Sequence, residues 1–218
     1  MTSTPKSPIA MEQRADADGR LHSPSAARNR AAIADVFAEH LPQNARVLEI
    51  GSGTGEHALA VCQARPDLDW QPSDPDPASR VSQAAWAIEA GGAIRPPMAI
   101  DLLVPETHVA LEGFDALVCL NVIHIAPWTV AEALAGLAAR LLTPGGCVLL
   151  YGPFKEDGAT APSNLQFDVS LKSRNPDWGV RELDSVITLF ARNGLGLAQQ
   201  TPMPANNLTL VFKPSEPR

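Results

Sequence analysis

Between Lys6 and Lys155 the chain has no lysine. This absence removes the phosphate-gripping P-loop, which needs a Gly-Lys-Ser/Thr step directly after its glycine turn. Positive charge is scarce throughout, 17 Lys and Arg against 24 Asp and Glu for a net charge of −7. Nucleic-acid binders usually show a basic face or arm, so an RNA or DNA partner is not expected. Aromatic residues are sparse, with Tyr151 the single tyrosine. The three cysteines, Cys62, Cys119 and Cys147, have neither zinc nor disulfide-framework spacing and read as buried thiols of a reducing compartment. The histidines show no ligand spacing with one another or with the cysteines, so no metal is expected. No apolar stretch reaches membrane-spanning length and no signal-peptide core occurs, which makes a soluble, cytoplasmic protein without a membrane partner the expectation.

What is present is organised around residues 47–55, Val-Leu-Glu-Ile-Gly-Ser-Gly-Thr-Gly. An apolar run with one acid, Glu49, breaks into three alternating glycines, the pattern of a strand turning sharply into a helix. Gly51, Gly53 and Gly55 lack a Cβ, so they can take positive φ and bare their backbone N–H groups to a ligand at the helix start. The plain alternative is an ordinary strand-to-helix turn. A dinucleotide fingerprint wants a further glycine where this chain has Glu56, whose carboxylate repels a pyrophosphate. Asp74 follows Gly55 by 19 residues, near the spacing at which a carboxylate closing the second strand accepts both ribose hydroxyls. Otherwise it caps a turn beside Pro75 and Pro77.

Residues 1–20 mix Ser, Thr, Pro, Ala and charge without apolar periodicity, the pattern of a flexible tail. From 21 to 218 a single α/β domain is expected. Its strands are read at 47–50, 69–73, 98–102, 114–121, 147–151, 195–201 and 207–212. They predict a Rossmann-like, seven-stranded, mostly parallel sheet flanked by helices, closing in an antiparallel C-terminal pair. Helices are read at 56–64, 78–89, 129–142 and 181–193, with an earlier one carrying Ile33, Val36, Phe37 and Leu41 that Pro42 stops. Arg28, Asn29 and Arg30 stand just ahead of that earlier helix, either beside a ligand or as a solvated helix start. Residues 153–180 lack periodicity but contain aromatics, which reads as a lid-like insertion.

Asn121 and His124 follow the fourth strand, and in open α/β sheets ligands bind beyond the strands' carboxyl ends. His124 is either a general base, since imidazole titrates near neutrality, or a structural histidine bonded to loop backbone. Tyr151, Lys155 and Asn206 join Arg28 and Asn29 as candidate substrate contacts; for Asn206 the alternative is a plain asparagine turn with Asn207.

An acid two residues before Gly-x-Gly-x-Gly resembles motif I of the class I S-adenosylmethionine-dependent methyltransferases. The ordered blocks narrow this: Arg28-Asn29-Arg30, Glu49 through His57, Trp70 through Asp74, Asn121 through Trp128, Tyr151 through Lys155, and Met203 through Leu208. Together, from about Ser23 to Lys213, they are similar to the DUF938 family of methyltransferases, which includes the methyltransferase-like 26 proteins. The resemblance implies S-adenosyl-L-methionine as cofactor and S-adenosyl-L-homocysteine as product. It implies a cofactor site of Glu49, Gly51, Ser52, Gly53, Gly55, His57, Asp74, Asp101, Leu102 and Asn121, with Asp101 and Leu102 at the adenine. The acceptor it leaves unassigned. A small molecule is favoured by the acidic surface and the lid; a protein methyltransferase, a non-catalytic cofactor-binding module and, more remotely, an NAD-dependent enzyme stay open.

Overall fold

Along each central strand, successive side chains point to opposite faces of one sheet, and both faces are apolar. In the computed structural model, which describes residues 18–215, β1 (Arg46–Ile50) sends Val47 one way and Leu48 and Ile50 the other. β3 (Phe114–Leu120) does the same with Ala116 and Val118 against Leu117 and Cys119. Strands sandwiched between helices must be apolar on both sides. α1 (Pro24–His40) and α2 (Glu56–Ala64) cover one face through Ile33, Phe37, Ala58 and Val61. α4 (Trp128–Leu141) and α6 (Leu183–Arg192) cover the other through Leu134, Leu141, Val186 and Phe190. Each such side chain stabilises the fold by about 2 kcal/mol when removed from water.

The main path of the sheet runs β2-β1-β3-β4-β7-β6, where β2 is Asp69–Ser73, β4 Leu142–Lys155, β6 Leu195–Met203 and β7 Asn207–Pro214. The pairs from β2 to β4 are parallel, and β7 lies antiparallel between β4 and β6. The expected mixed seven-stranded α/β sheet with its antiparallel pair is therefore present. From β1 the chain moves outward to β2, while β3 lies on the other side, so the connections part between β1 and β3 and leave a crevice at their carboxyl ends.

Several boundaries differ from expectation. The seventh strand is β5, the two residues Arg181–Glu182 beside the end of β4, read from sequence as the start of a helix. Residues 98–102 form no strand: of these only Met98 meets β2, in an isolated parallel bridge to Ser73, and a second bridge pairs Trp70 with Ile94 just upstream. Pro96, Pro97 and Pro72 lack the N–H groups a continuous ladder needs. α1 begins at Pro24, with Ser23 as N-cap accepting Ala26 N–H at 3.3 Å, so Arg28, Asn29 and Arg30 lie on the helix and not ahead of it. The segment at 153–180 is not irregular throughout, because α5 (Pro162–Arg174) occupies its centre. Of the expected tail, residues 1–17 lie outside the described residues. Arg20 is held, with its guanidinium 4.6 Å over the Trp86 ring and paired with Asp18 and Glu89.

Candidate functional site

The crevice between β1 and β3 gathers the glycine loop, Asp74 and Asn121. Gly51, Gly53 and Gly55 all have positive φ, at +67°, +55° and +92°. Two of them are also needed for packing. A Cβ at Gly51 would collide with Val122, just past Asn121, and one at Gly55 would stand 3.0 Å from Gln83 Cα. Above Gly53 there is open space, with nothing within 4 Å of a built Cβ. The loop thus presents one bare, unobstructed backbone position, which is where a ligand can approach.

Polar side chains hold that loop from below. Asp74 accepts Gly53 N–H at 3.0 Å and Asp76 N–H at 2.9 Å on separate oxygens. Each oxygen keeps a further lone pair, and burial raises the carboxyl's pKa. Gln83 donates to the Gly53 carbonyl at 3.0 Å, Ser82 donates to the Thr54 carbonyl at 2.7 Å, and Ser73 N–H donates to Ser52 Oγ at 3.1 Å. Sequence reading missed Ser82 and Gln83. The signal was available: on α3 (Pro77–Ala87) the inward positions Ser79, Ser82 and Gln83 are polar at helical spacing where apolar residues are the rule.

Glu49 lies beneath the loop, 1 % exposed. One carboxylate oxygen accepts Trp70 Nε1–H at 3.0 Å, while Oε1 is buried with no hydrogen-bond partner. Desolvation pushes its pKa up to about 7, against the opposing pull of Ser52 and Trp70. An unfilled buried acceptor costs free energy, and a cationic donor arriving at this end of the crevice would relieve it. Asp101 accepts Leu103 N–H at 2.9 Å at the head of a turn, and Leu102 is buried. Asn121 takes the left-handed conformation, φ +64°, with its N–H on the Tyr151 carbonyl at 2.8 Å.

His57, expected with the cofactor set, reaches in another direction. Its Nε2 stands 2.9 Å from Asn29 Oδ1, and Asn29 Nδ2 donates to Tyr151 Oη at 3.2 Å. Since the amide nitrogen faces the phenol, its oxygen accepts from His57 Nε2–H, which fixes a neutral tautomer. Burial and the nearby Arg30 charge push the His57 pKa down to about 4, and burial raises that of Tyr151. Asn29, His57 and Tyr151 form one uncharged polar chain across α1, α2 and β4.

The other expected residues divide. Arg28 is exposed, with no ion pair or hydrogen bond among the described residues. Lys155 is taken up by Asp168 at 2.9 Å and Glu182 at 3.7 Å, and Asn206 donates to Ser163 at 2.9 Å, so both hold α5. His124 is 1 % exposed, with its ring edge-on to Phe154 and against Gly152, where a Cβ would come within 2.8 Å of Cδ2. Burial, with Arg181 beside it, pushes its pKa down to about 3. Arg181 ties this loop down by donating to the Ile123, Ala126 and Asp177 carbonyls.

An open cleft of about 550 Å³ lies elsewhere, beside α4 and α6, lined by Trp128, Arg181, Asp184 and Arg192; none of the expected site residues lines it. Among the described residues no cluster of three His, Cys, Asp or Glu side chains could share a metal ion. No helix there is long and apolar enough to cross a membrane.

The fold is similar to that of an O-methyltransferase family protein from Burkholderia thailandensis (TM-score 0.72, 19 % identity over 86 % of this chain and 56 % of that one). It is likewise similar to CalO1, a methyltransferase in calicheamicin biosynthesis, in its SAH-bound form (0.72, 19 %, 88 % and 54 %). A third likeness is an O-methyltransferase family 2 protein from Planctomyces limnophilus in complex with apigenin (0.72, 20 %, 87 % and 59 %). The chain spans little more than half the length of each, and at these identities the likeness shows the fold. The family described as "Protein of unknown function (DUF938)" matches residues 20–214, and the chain belongs to it.

Proposed function

We propose that this chain is an S-adenosylmethionine-dependent methyltransferase acting on a small-molecule acceptor. The observation that carries the reading is the glycine loop at the sheet's switch point, open above Gly53 and lying over the buried, unfilled Oε1 of Glu49. Such a site suits a ligand with a cationic amine and no phosphates. The arginines next to the loop are already committed, Arg80 to the Asp74 and Pro75 carbonyls and Arg30 to Glu56. Bound there, the cofactor supplies a methyl group on a sulfonium, with S-adenosylhomocysteine as product. Glu49, Gly51, Ser52, Gly53 and Gly55 would hold its amino-acid end, Asp74 its ribose, and Asp101, Leu102 and Asn121 the remainder.

The chain's own work in methyl transfer is to align the acceptor and exclude water. Asn29, His57 and Tyr151 provide an uncharged hydrogen-bonding wall for the acceptor, with Arg28 on the same helix a cation without an ion pair among the described residues. Lys155 and Asn206 act by holding the α5 lid. For His124 the burial and depressed basicity favour a positioning role over that of a base: a group titrating near 3 is too weakly basic to take up a proton readily at neutral pH. Its side chain holds the turn that follows Asn121 against β4 and β5, with Nδ1 accepting Arg181 N–H at 3.4 Å and the ring edge-on to Phe154. The sequence blocks extend the likeness to the methyltransferase-like 26 proteins, and the three buried thiols suit a cytoplasmic setting.

Labelled S-adenosylmethionine incubated with fractionated metabolites tests the reading. The expected result is acceptor-dependent formation of S-adenosylhomocysteine that disappears in G53A. Labelling confined to protein fractions would favour a protein methyltransferase, and cofactor binding without turnover on any fraction would favour a non-catalytic module.

A further inference from the structure

The residues ahead of α1 are fastened to the glycine loop by two hydrogen-bond chains that end on one residue. In the first, Leu21 N–H donates to Ser82 Oγ at 2.8 Å, and the Ser82 hydroxyl donates to the Thr54 carbonyl at 2.7 Å. In the second, Ser23 N–H donates to Glu56 Oε2 at 2.8 Å, and the same oxygen accepts the Thr54 hydroxyl at 2.9 Å. Trp86 Nε1–H closes the strap by donating to the Leu21 carbonyl at 3.1 Å. Leu21, Ser23, Thr54, Glu56 and Ser82 are all buried.

Glu56 is the unusual member. An acid in the first turn of a helix is favoured by the helix dipole, but a solvated side chain would gain that as well. Burial of a carboxylate is unfavourable unless donors fill its oxygens. Here they come from separate places: the N-cap of α1, the loop hydroxyl, and Arg30 at 3.6 Å from the second turn of α1. Thr54 sits between Gly53 and Gly55, so whatever moves Thr54 moves the bare backbone on both sides.

We propose that Glu56 is a positioning residue that couples residues 20–23 to the glycine loop, so that the loop's ligand-ready shape is set in part by the chain ahead of α1. The inference rests on the cofactor reading above and deepens it by naming what shapes the loop.

Hydrogen exchange on the free protein tests the coupling without any ligand. Residues 20–23 and 51–55 are expected to open together, and E56A should raise exchange in both by about tenfold. E56Q keeps an oxygen acceptor and should restore most of the protection; the isosteric T54V should loosen both segments to a smaller degree and carries the test if E56A does not fold. Calorimetry then reads the consequence, with S-adenosylmethionine expected to bind E56A about tenfold more weakly and E56Q in between. Faster exchange at 20–23 with 51–55 at wild-type rates would overturn the coupling, as would a folded E56A with wild-type affinity. A wild-type protein that binds no S-adenosylmethionine would remove the cofactor reading, while the exchange result would still decide the coupling.

Discussion

The glycine loop and α5 are held in opposite ways. On the glycine-loop side, short buried side chains grip the backbone: Asp74 takes Gly53 N–H, Gln83 the Gly53 carbonyl and Ser82 the Thr54 carbonyl. On the α5 side, Asp168 accepts Lys155 at 2.9 Å, Lys172 at 2.8 Å and Val180 N–H at 2.9 Å, and Lys172 is half exposed. Asn164 adds bonds to the Phe154 and Asn206 carbonyls. Leu165, Phe167 and Val169 of α5 face outward. Hydrogen bonds in a desolvated loop are insensitive to salt, whereas partly exposed ion pairs are screened. The glycine loop is thus held out of reach of salt, and α5 within it.

The largest expected effect sits at Gly53. Because open space lies above it, G53A should cost only about 1 kcal/mol of stability from its positive φ. The added methyl stands where a ligand would lie, so S-adenosylmethionine affinity should fall about a hundredfold, or about 2.7 kcal/mol. G51A should reverse the emphasis, since its Cβ meets Val122. Denaturation should show a loss of about 3 kcal/mol there. Equal stability losses in the two variants would break the distinction between open and packed glycines.

Next comes pH. The Glu49 carboxyl titrates at its ordinary 4.5 when unfolded and at about 7 in the fold, so the folded protein binds the extra proton between those values. The stability that Glu49 contributes to the free protein should therefore fall as pH rises from 4.5 to 7, by about 3 kcal/mol. E49Q should remove that contribution, so that in urea denaturation the variant gains more stability than wild type between pH 4.5 and 7. His57 and His124 act with the opposite sign. Their folded values, about 4 and about 3, lie below the ordinary 6.5, so their contribution is present above 6.5 and lost as pH falls. An unchanged slope in E49Q would mean that its carboxylate is not desolvated as described.

For His124 the expected change is smaller. H124N should lower turnover by about tenfold through the Asn121 turn and leave the shape of the pH–rate profile unaltered. Loss of an acid limb with a far larger drop would restore it as a base. Smallest is K172Q, which removes the half-exposed partner of Asp168 and is expected to cost under about 1 kcal/mol while raising hydrogen exchange across α5, with wild type approaching it as salt rises to about 0.5 M. Salt-independent exchange of α5 would remove the contrast between it and the glycine loop.

The same contrast explains what the sequence disclosed. Apolar strand runs and the alternating glycines are local signals, so the sheet and the loop were readable from Val47 onward, and Asp74 followed from spacing. α5 was not, because its buried residues are Asn164, Asp168 and Leu171 while its apolar ones face out, which inverts the periodicity that marks a helix. The direction of His57 depends on where α1 lies across α2, a tertiary fact without a local signature. Glu56 was legible as an obstacle to pyrophosphate, but its partner Ser23 N–H is a backbone group that no residue pattern announces.

Isothermal titration of the intact chain with S-adenosylmethionine, alongside NAD, tests the central claim most directly. One molecule of S-adenosylmethionine is expected to bind per chain, about a hundredfold more weakly in G53A, with NAD giving no heat. Saturable binding of NAD, with no heat from S-adenosylmethionine, would contradict it.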